Sequence, residues 1–151
     1  MQGMATRLWR HGSAVQKERL LPGLLAGSLI GAPAMSEPTA GSDLTQLRSQ
    51  AVRTEGGWLL DGTKAWVSNG AIANLLMVLA RTTAADGSQA IAGFLVEPEA
   101  GKAFAATPHE LPGAMEFRLA EIRFERHFVP DWALIHAPGE AFRASMEAIN
   151  A

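Results

Sequence analysis

The sequence reads as mainly β: an antiparallel barrel or sandwich of about seven short strands, with helical segments at both ends. Three observations carry that reading. Short apolar runs recur at roughly even spacing from Leu47 to Ile135. Gly56-Gly57, Asp61-Gly62 and Asp86-Gly87 punctuate them, and Gly-Gly and Asp-Gly pairs accept the positive φ of tight hairpin turns. Helical apolar spacing is confined to residues 15–25 and 140–151, the two ends of the chain.

Residues 1–12 carry no signal. Ser13 caps a helix running to about residue 26, with Leu20, Leu21, Leu24 and Leu25 on its buried side and Gly27 at its stop. Pro22 lies inside that span and is expected to break or kink it. The basic lead Arg7, Arg10, Lys17 and Arg19, the apolar stretch 20–30 and Ala32-Pro33-Ala34 also resemble a secretory leader. Glu18 and Pro22 interrupt that pattern, and the helix is the plainer reading. Residues 29–35 read as a strand and 36–44 as a loop.

From Leu47 the strand signals repeat. Residues 47–54, 58–60 and 64–68 are separated by Gly56-Gly57 and Asp61-Gly62, which predicts a meander of two hairpins. Residues 75–81 form a continuous apolar run, the pattern of a strand buried on both faces. Residues 90–96 follow a polar loop and stop before Pro98. Residues 104–107 and 121–124 are weaker strands around a break at 111–113, and Val129-Pro130 with residues 132–135 makes a last extended piece. After Pro138-Gly139, Phe142, Met146 and Ile149 share one helical stripe. Glu140 stands in the first turn, where the helix dipole favours an acid.

The 151 residues suffice for one domain with a core. At 48% hydrophobic and 19% charged the chain is globular in composition, and its net charge of −2 argues against a nucleic-acid surface. No apolar run is long enough for a transmembrane helix. With no cysteine there is no disulfide frame, thiolate metal site or Cys nucleophile, and the expected location is cytoplasmic. His11, His109, His127 and His136 lack ligand spacing, so no metal is expected, and each reads as a surface or strand-end residue. Gly57 and Gly62-Thr63-Lys64 have the wrong order for a phosphate-binding loop. Gly41-Ser42-Asp43 lacks the nucleophile-elbow spacing.

Two stretches stand out. Residues 34–43 (Ala-Met-Ser-Glu-Pro-Thr-Ala-Gly-Ser-Asp) combine small residues, which allow close backbone approach, with hydroxyls that give directed hydrogen bonds. That composition suits a polar cofactor better than a core. Residues 62–70 end a strand with Trp66 and Ser68 two positions apart, which on a strand means one face. The bland readings are a core aromatic for Trp66 and turn residues for Ser36 and Ser42. Glu37 and Asp43 read as loop-organising acids, and Lys64 as a solvated hairpin charge.

The run Met35-Ser36-Glu37-Pro38-Thr39-Ala40-Gly41-Ser42-Asp43 closely resembles the signature of the acyl-CoA dehydrogenase family. Asp61-Gly62-Thr63-Lys64-Ala65-Trp66-Val67-Ser68-Asn69 resembles that family's second flavin stretch, at the expected separation. The resemblance implies FAD as cofactor, acyl-CoA as substrate, α,β-desaturation with hydride transfer to flavin N5, and an electron-transfer flavoprotein as acceptor. It also implies a homo-oligomer for the full-length form. The chain would then divide into a remnant of an N-terminal helical domain (1–28), an FAD- and acyl-CoA-binding β-barrel (29–137) and the start of a C-terminal helical domain (138–151). Met35 and Ser36 would face the pyrimidine end of the isoalloxazine. Gly41 and Ser42 would approach the diphosphate, with Ser42 also at the edge of the acyl-CoA site. Trp66 would cover the ring, Val67 contribute backbone, and the Ser68 hydroxyl reach N5. The resemblance assigns no catalytic residue, because the family's base lies in the helical bundle, so this chain is expected to be inactive alone. Pro33, Gln46 and Gly113-Ala114-Met115-Glu116-Phe117 depart from the family's pattern. An acyl-CoA oxidase or related flavin monooxygenase of the same fold, and a noncatalytic β-barrel interaction module, remain as alternatives.

Overall fold

The strand at the centre of the molecule is β4 (Leu75–Thr83), and six consecutive residues, Leu75 to Ala80, are completely buried in it. A continuous apolar run does this only when both faces of the strand are covered. The computed structural model describes residues 3–98, 103–113 and 115–149, with residues 148 and 149 described by backbone alone. Along one side β4 pairs antiparallel with β5 (Gln89–Val96), from Leu76 opposite Val96 to Thr83 opposite Gln89. Along its other side two short strands share the edge end to end. β1 (Gly31–Ala34) lies opposite Leu75 to Val78, and β2 (Gln50–Thr54) meets it at Gln50–Arg81.

Both of those pairings are parallel, so the sheet is mixed rather than strictly antiparallel. β1 enters from a helix, not a hairpin, and nothing forces it to run opposite to β4. β2 is separated from β4 by two chain reversals, which restore its direction. The remaining pairs are antiparallel. β3 (Gly57–Val67) pairs with β2 around Gly56 (φ 72°) and with β7 (Ala120–Pro130), β7 with β6 (Phe104–Pro108), and β5 with β8 (Leu134–His136). The sheet order is β6-β7-β3-β2-β4-β5-β8, with β1 beside β4. The sheet curls until Trp58 of β3 meets Phe94 of β5 edge-on, with ring centroids 5.3 Å apart.

Asp61-Gly62 makes no hairpin. β3 runs through it, and the register against β7 slips between Leu60–His127 and Gly62–Phe124, leaving one extra residue in β7. Asp61 accepts the Arg126 N–H at 2.8 Å, where Arg126 itself has φ 50°. A Cβ at Gly62 would lie 2.3 Å from Ser49 Oγ. The glycine answers a close approach beside a bulge, a role that Asp-Gly shares with the hairpin turn.

Among the described residues three α-helices flank the sheet: α1 (Met4–His11), α2 (Ala14–Ala26) and α3 (Ala141–Ile149). The cap predicted at Ser13 is present and closes into a capping box: its hydroxyl accepts from Gln16 N–H at 3.2 Å and its own N–H donates to the Gln16 side chain at 2.9 Å. Pro22 does not break α2. Pro22 and Glu18, whose carbonyl loses its partner, are both exposed, so water can serve that carbonyl. Leu20 is buried, but Leu25 is 76% exposed, off the face assigned to it. Gln16 Nε2 ties α2 to the sheet by donating to the carbonyls of Trp132 (2.7 Å) and Leu134 (2.9 Å). In α3 the buried positions are Ala141, Ala144 and Ser145, while Phe142 is 39% exposed. The Ile149 side chain lies outside the described ones.

Candidate functional site

The first stretch leaves the sheet where β1 ends. Glu37 and Ala40 bond each other in both directions, N–H to carbonyl, at 2.8 and 3.1 Å, which closes a tight turn over Pro38-Thr39. Gly41 and Ser42 stand exposed beyond it. Asp43 then caps a short 3-10 turn (Leu44–Gln46) by accepting from Thr45 N–H at 3.0 Å.

The second stretch is the far end of β3. Between Lys64–Ile122 and Val67–Ala120 the register slips again, this time with the extra residue in β3. The slip falls at Trp66, whose φ of 57° lies in the left-handed region. That backbone is costly for a bulky residue, and it turns the indole outward to 57% exposure. The indole stacks on His109, with centroids 4.8 Å and planes 28° apart. Val67 is buried, and Ser68 opens the turn that follows. Asn69 (φ 61°) holds that turn, its carbonyl accepting from Ile72 and Ala73 and its N–H donating to Phe117 at 2.8 Å. The strict alternation that put Trp66 and Ser68 on one face therefore does not apply: the strand is bulged at Trp66 and over at Val67.

The two stretches meet. Ala65 N–H donates to the Ser36 carbonyl at 2.9 Å. Beside that bond Lys64 Nζ donates to Glu37 Oε1 at 2.7 Å and to the Met35 carbonyl at 3.3 Å. Lys64 is fully buried, and Glu37 nearly so, which corrects the reading of Lys64 as a solvated charge. Burial pushes the Lys64 ammonium down to about 8, against the pull of Glu37. Burial of the Glu37 carboxyl would raise it, but hydrogen bonds from Lys64, Ser49 and Arg48 hold it below its ordinary value. Glu37 also accepts the N–H groups of Arg48 (2.7 Å) and Ser49 (3.0 Å), so it does organise the loop, as expected. One carboxylate thus gathers the end of β1, the start of β2 and the middle of β3.

Met35 and Ser36 therefore lie beside Lys64 to Trp66, while Gly41 and Ser42 sit on the outer side of the Glu37–Ala40 turn. Among the described residues no hydrogen bond engages the Ser36 or Ser68 hydroxyls or the Trp66 indole N–H. Around Trp66, Ile72, Met115 and Phe117 are 44%, 58% and 54% exposed. Ile72, His109 and Met115 line a cavity of about 500 Å³. A solvent-facing indole on a strained backbone, next to uncommitted hydroxyls and an apolar shelf, fits a flat ligand with a polar rim. Sequence reasoning missed His109, which follows β6 and meets Trp66 only through the β6-β7-β3 pairing. It also misplaced His127, which is buried within β7, whereas His136 does end a strand, β8, and is buried there. Among the described residues no three His, Cys, Asp or Glu side chains converge as a metal site, and no helix is long and apolar enough to cross a membrane.

Residues 32–127 match the family described as acyl-CoA dehydrogenase, middle domain, and both stretches fall inside that match. The chain belongs to the acyl-CoA dehydrogenase family. It is 37% identical over 144 residues to a mitochondrial 2-methylacyl-CoA dehydrogenase of Solanum tuberosum, covering 95% of this chain and 35% of that protein. The chain therefore spans about a third of the length of the curated relatives it matches. A glutaryl-coenzyme A dehydrogenase solved with glutaryl-CoA superposes with a TM-score of 0.89 at 30% identity, over 98% of this chain and 38% of that one. A glutaryl-CoA dehydrogenase of Mycobacterium smegmatis, solved with FADH2, gives a TM-score of 0.84 at 30% identity, over 98% and 37%. The expectation of a cytoplasmic location is overturned, since the potato protein and further relatives are named as mitochondrial enzymes. The absence of cysteine, on which it leaned, does not distinguish one reducing compartment from another.

Proposed function

We propose that this chain forms the flavin-facing β-domain of an FAD-dependent acyl-CoA dehydrogenase. The observation that supports it is the Ala65 N–H to Ser36 carbonyl bond of 2.9 Å, which sets the two family stretches side by side under an exposed indole. In this reading residues 29–137 are the binding domain, and 1–28 and 138–151 belong to helical neighbours. Acyl-CoA is the substrate, an electron-transfer flavoprotein takes the electrons, and the full-length enzyme is a homo-oligomer.

Bound FAD supplies a hydride acceptor for the acyl chain. Met35 and Ser36 offer backbone N–H and hydroxyl donors to the pyrimidine end of the ring, where oriented donors stabilise negative charge. Gly41, around which a Cβ would meet nothing within 4 Å, and Ser42 lie against the diphosphate, and Ser42 also touches the acyl-CoA edge. Trp66 covers the ring face and excludes water, Val67 anchors the strand end, and Ser68 donates toward N5. No residue of this chain is assigned as the base, so the chain alone does not turn over.

The test is an FAD titration followed by flavin fluorescence and visible absorbance. Trp66→Ala is expected to weaken binding roughly tenfold by loss of stacking, and Ser36→Ala by about the same through a lost charge-assisted donor. Unchanged affinity in both variants sinks the assignment. Reduction of a dye acceptor by acyl-CoA with this chain alone would overturn its inactivity.

A further inference from the structure

A second polar cluster lies where α1 meets β1 and β8. Arg7 on α1 is 8% exposed, and the partner its guanidinium finds is the Met77 sulfur, 3.7 Å from Nη1. His136 on β8 is 3% exposed, and its Nε2 is buried without a hydrogen-bond partner. Its ring lies over Gly93, where a Cβ would stand 2.8 Å from His136 Cδ2. The rings of His11 and His136 meet edge-on at 5.2 Å. His11 is only half-buried and forms the open side of the cluster.

The three side chains are held on one face. Gly93 pairs with both Leu79 and His136, and directly opposed residues in antiparallel pairs project to the same side. Met77 is two residues from Leu79 and shares that side. Met77 and His136 therefore bracket a shelf whose middle position is a glycine, and α1 brings Arg7 and His11 down onto it.

No carboxylate among the described residues reaches this cluster. The partner seen for the Arg7 guanidinium is a thioether, and proteins normally pair a largely buried charge with an anion. Its planar fork of donors matches a carboxylate in two-point contact, and His11, one helical turn on from Arg7, carries the same helix face against the His136 ring. Burial and the charges on His11 and Arg7 hold His136 down to about 4, so the imidazole enters as a neutral donor or acceptor.

We propose that Arg7, His11 and His136 form a seat for a single carboxylate group, entered past His11 between α1 and β8. It does not depend on the flavin reading.

The experiment uses the 151-residue chain with sodium acetate as the probe and sodium chloride at matched ionic strength as the control. Thermal unfolding reads binding, and the His136 imidazole NMR signals read its location. Acetate is expected to raise the melting temperature above the chloride control and to raise the His136 pKa. Arg7→Met, which sets a second methionine beside Met77 in place of the charge, is expected to fold and to bind acetate roughly tenfold more weakly or worse. Equal melting curves in acetate and chloride overturn the proposal. So does an acetate shift that survives Arg7→Met, or one that leaves the His136 signals unmoved. If Arg7→Met fails to fold, the His136 signals of the parent chain decide alone.

Discussion

Among the described residues two cations, Lys64 and Arg7, are buried, and the fold treats them in opposite ways. Lys64 has Glu37 at 2.7 Å, and Glu37 in turn accepts two backbone N–H groups, so every charge in that group is answered. Arg7 has a sulfur atom. The first group joins three segments that the sequence keeps apart and builds the end of the molecule where the two family stretches meet. The second joins nothing by charge; α1 is held there by Leu8 and Met4 against the core. The contrast teaches that burial alone does not tell a structural charge from an uncommitted one. What separates them is whether the surrounding donors and acceptors close on each other.

The largest effect is expected from breaking the closed group. Glu37→Ala leaves a buried ammonium unpaired and strands two N–H groups, and it should cost about 3–5 kcal/mol in urea unfolding. A Glu37→Leu, Lys64→Met double variant should cost markedly less than the two single changes added together, which a double-mutant cycle measures.

Acid separates the two regions along the pH axis. His136 has its folded pKa lowered from 6.5 to about 4, so the unfolded chain binds the proton first. Its contribution is complete above 6.5 and declines as pH falls toward 4. Glu37 is also lowered, from 4.5, and its contribution declines only below that value. Stability measured against pH should therefore show an upper limb that His136→Gln removes and a lower limb that it leaves in place.

A smaller loss is expected at the shelf. Gly93→Ala drives a methyl against the His136 ring and should cost roughly 1–3 kcal/mol by overpacking. Smallest of all is Arg7→Met in the absence of carboxylate. Replacing an unanswered buried charge by an apolar group of similar volume should change the stability by less than about 1 kcal/mol or raise it. A loss as large as that for Glu37→Ala would show that Arg7 is a structural cation after all.

Local signals in the sequence carried several elements through to the structure. The helix cap at Ser13 and the stop at Gly27, the Gly56 and Gly87 hairpins, and the doubly buried β4 were all visible, because each depends on residues within a few positions of one another. The candidate site was legible as two stretches of suitable chemistry. Their side-by-side placement was not, and neither was His109 beneath Trp66, which depends on register across three strands.

Composition and short-range pattern determined, by themselves, that this chain is mainly β, where most of its strands and capped turns lie, and which family it resembles. Tertiary structure alone decided that β1 and β2 run parallel to β4, that Asp61-Gly62 lies beside a bulge of β7 and makes no turn, that Lys64 is buried and Leu25 exposed, and that Arg7 meets Met77. The physical reason is range. A turn or a cap is set by backbone preferences and hydrogen bonds among neighbours. The cost of burying a charge, or the gain from pairing it, is set by atoms that arrive from tens of residues away.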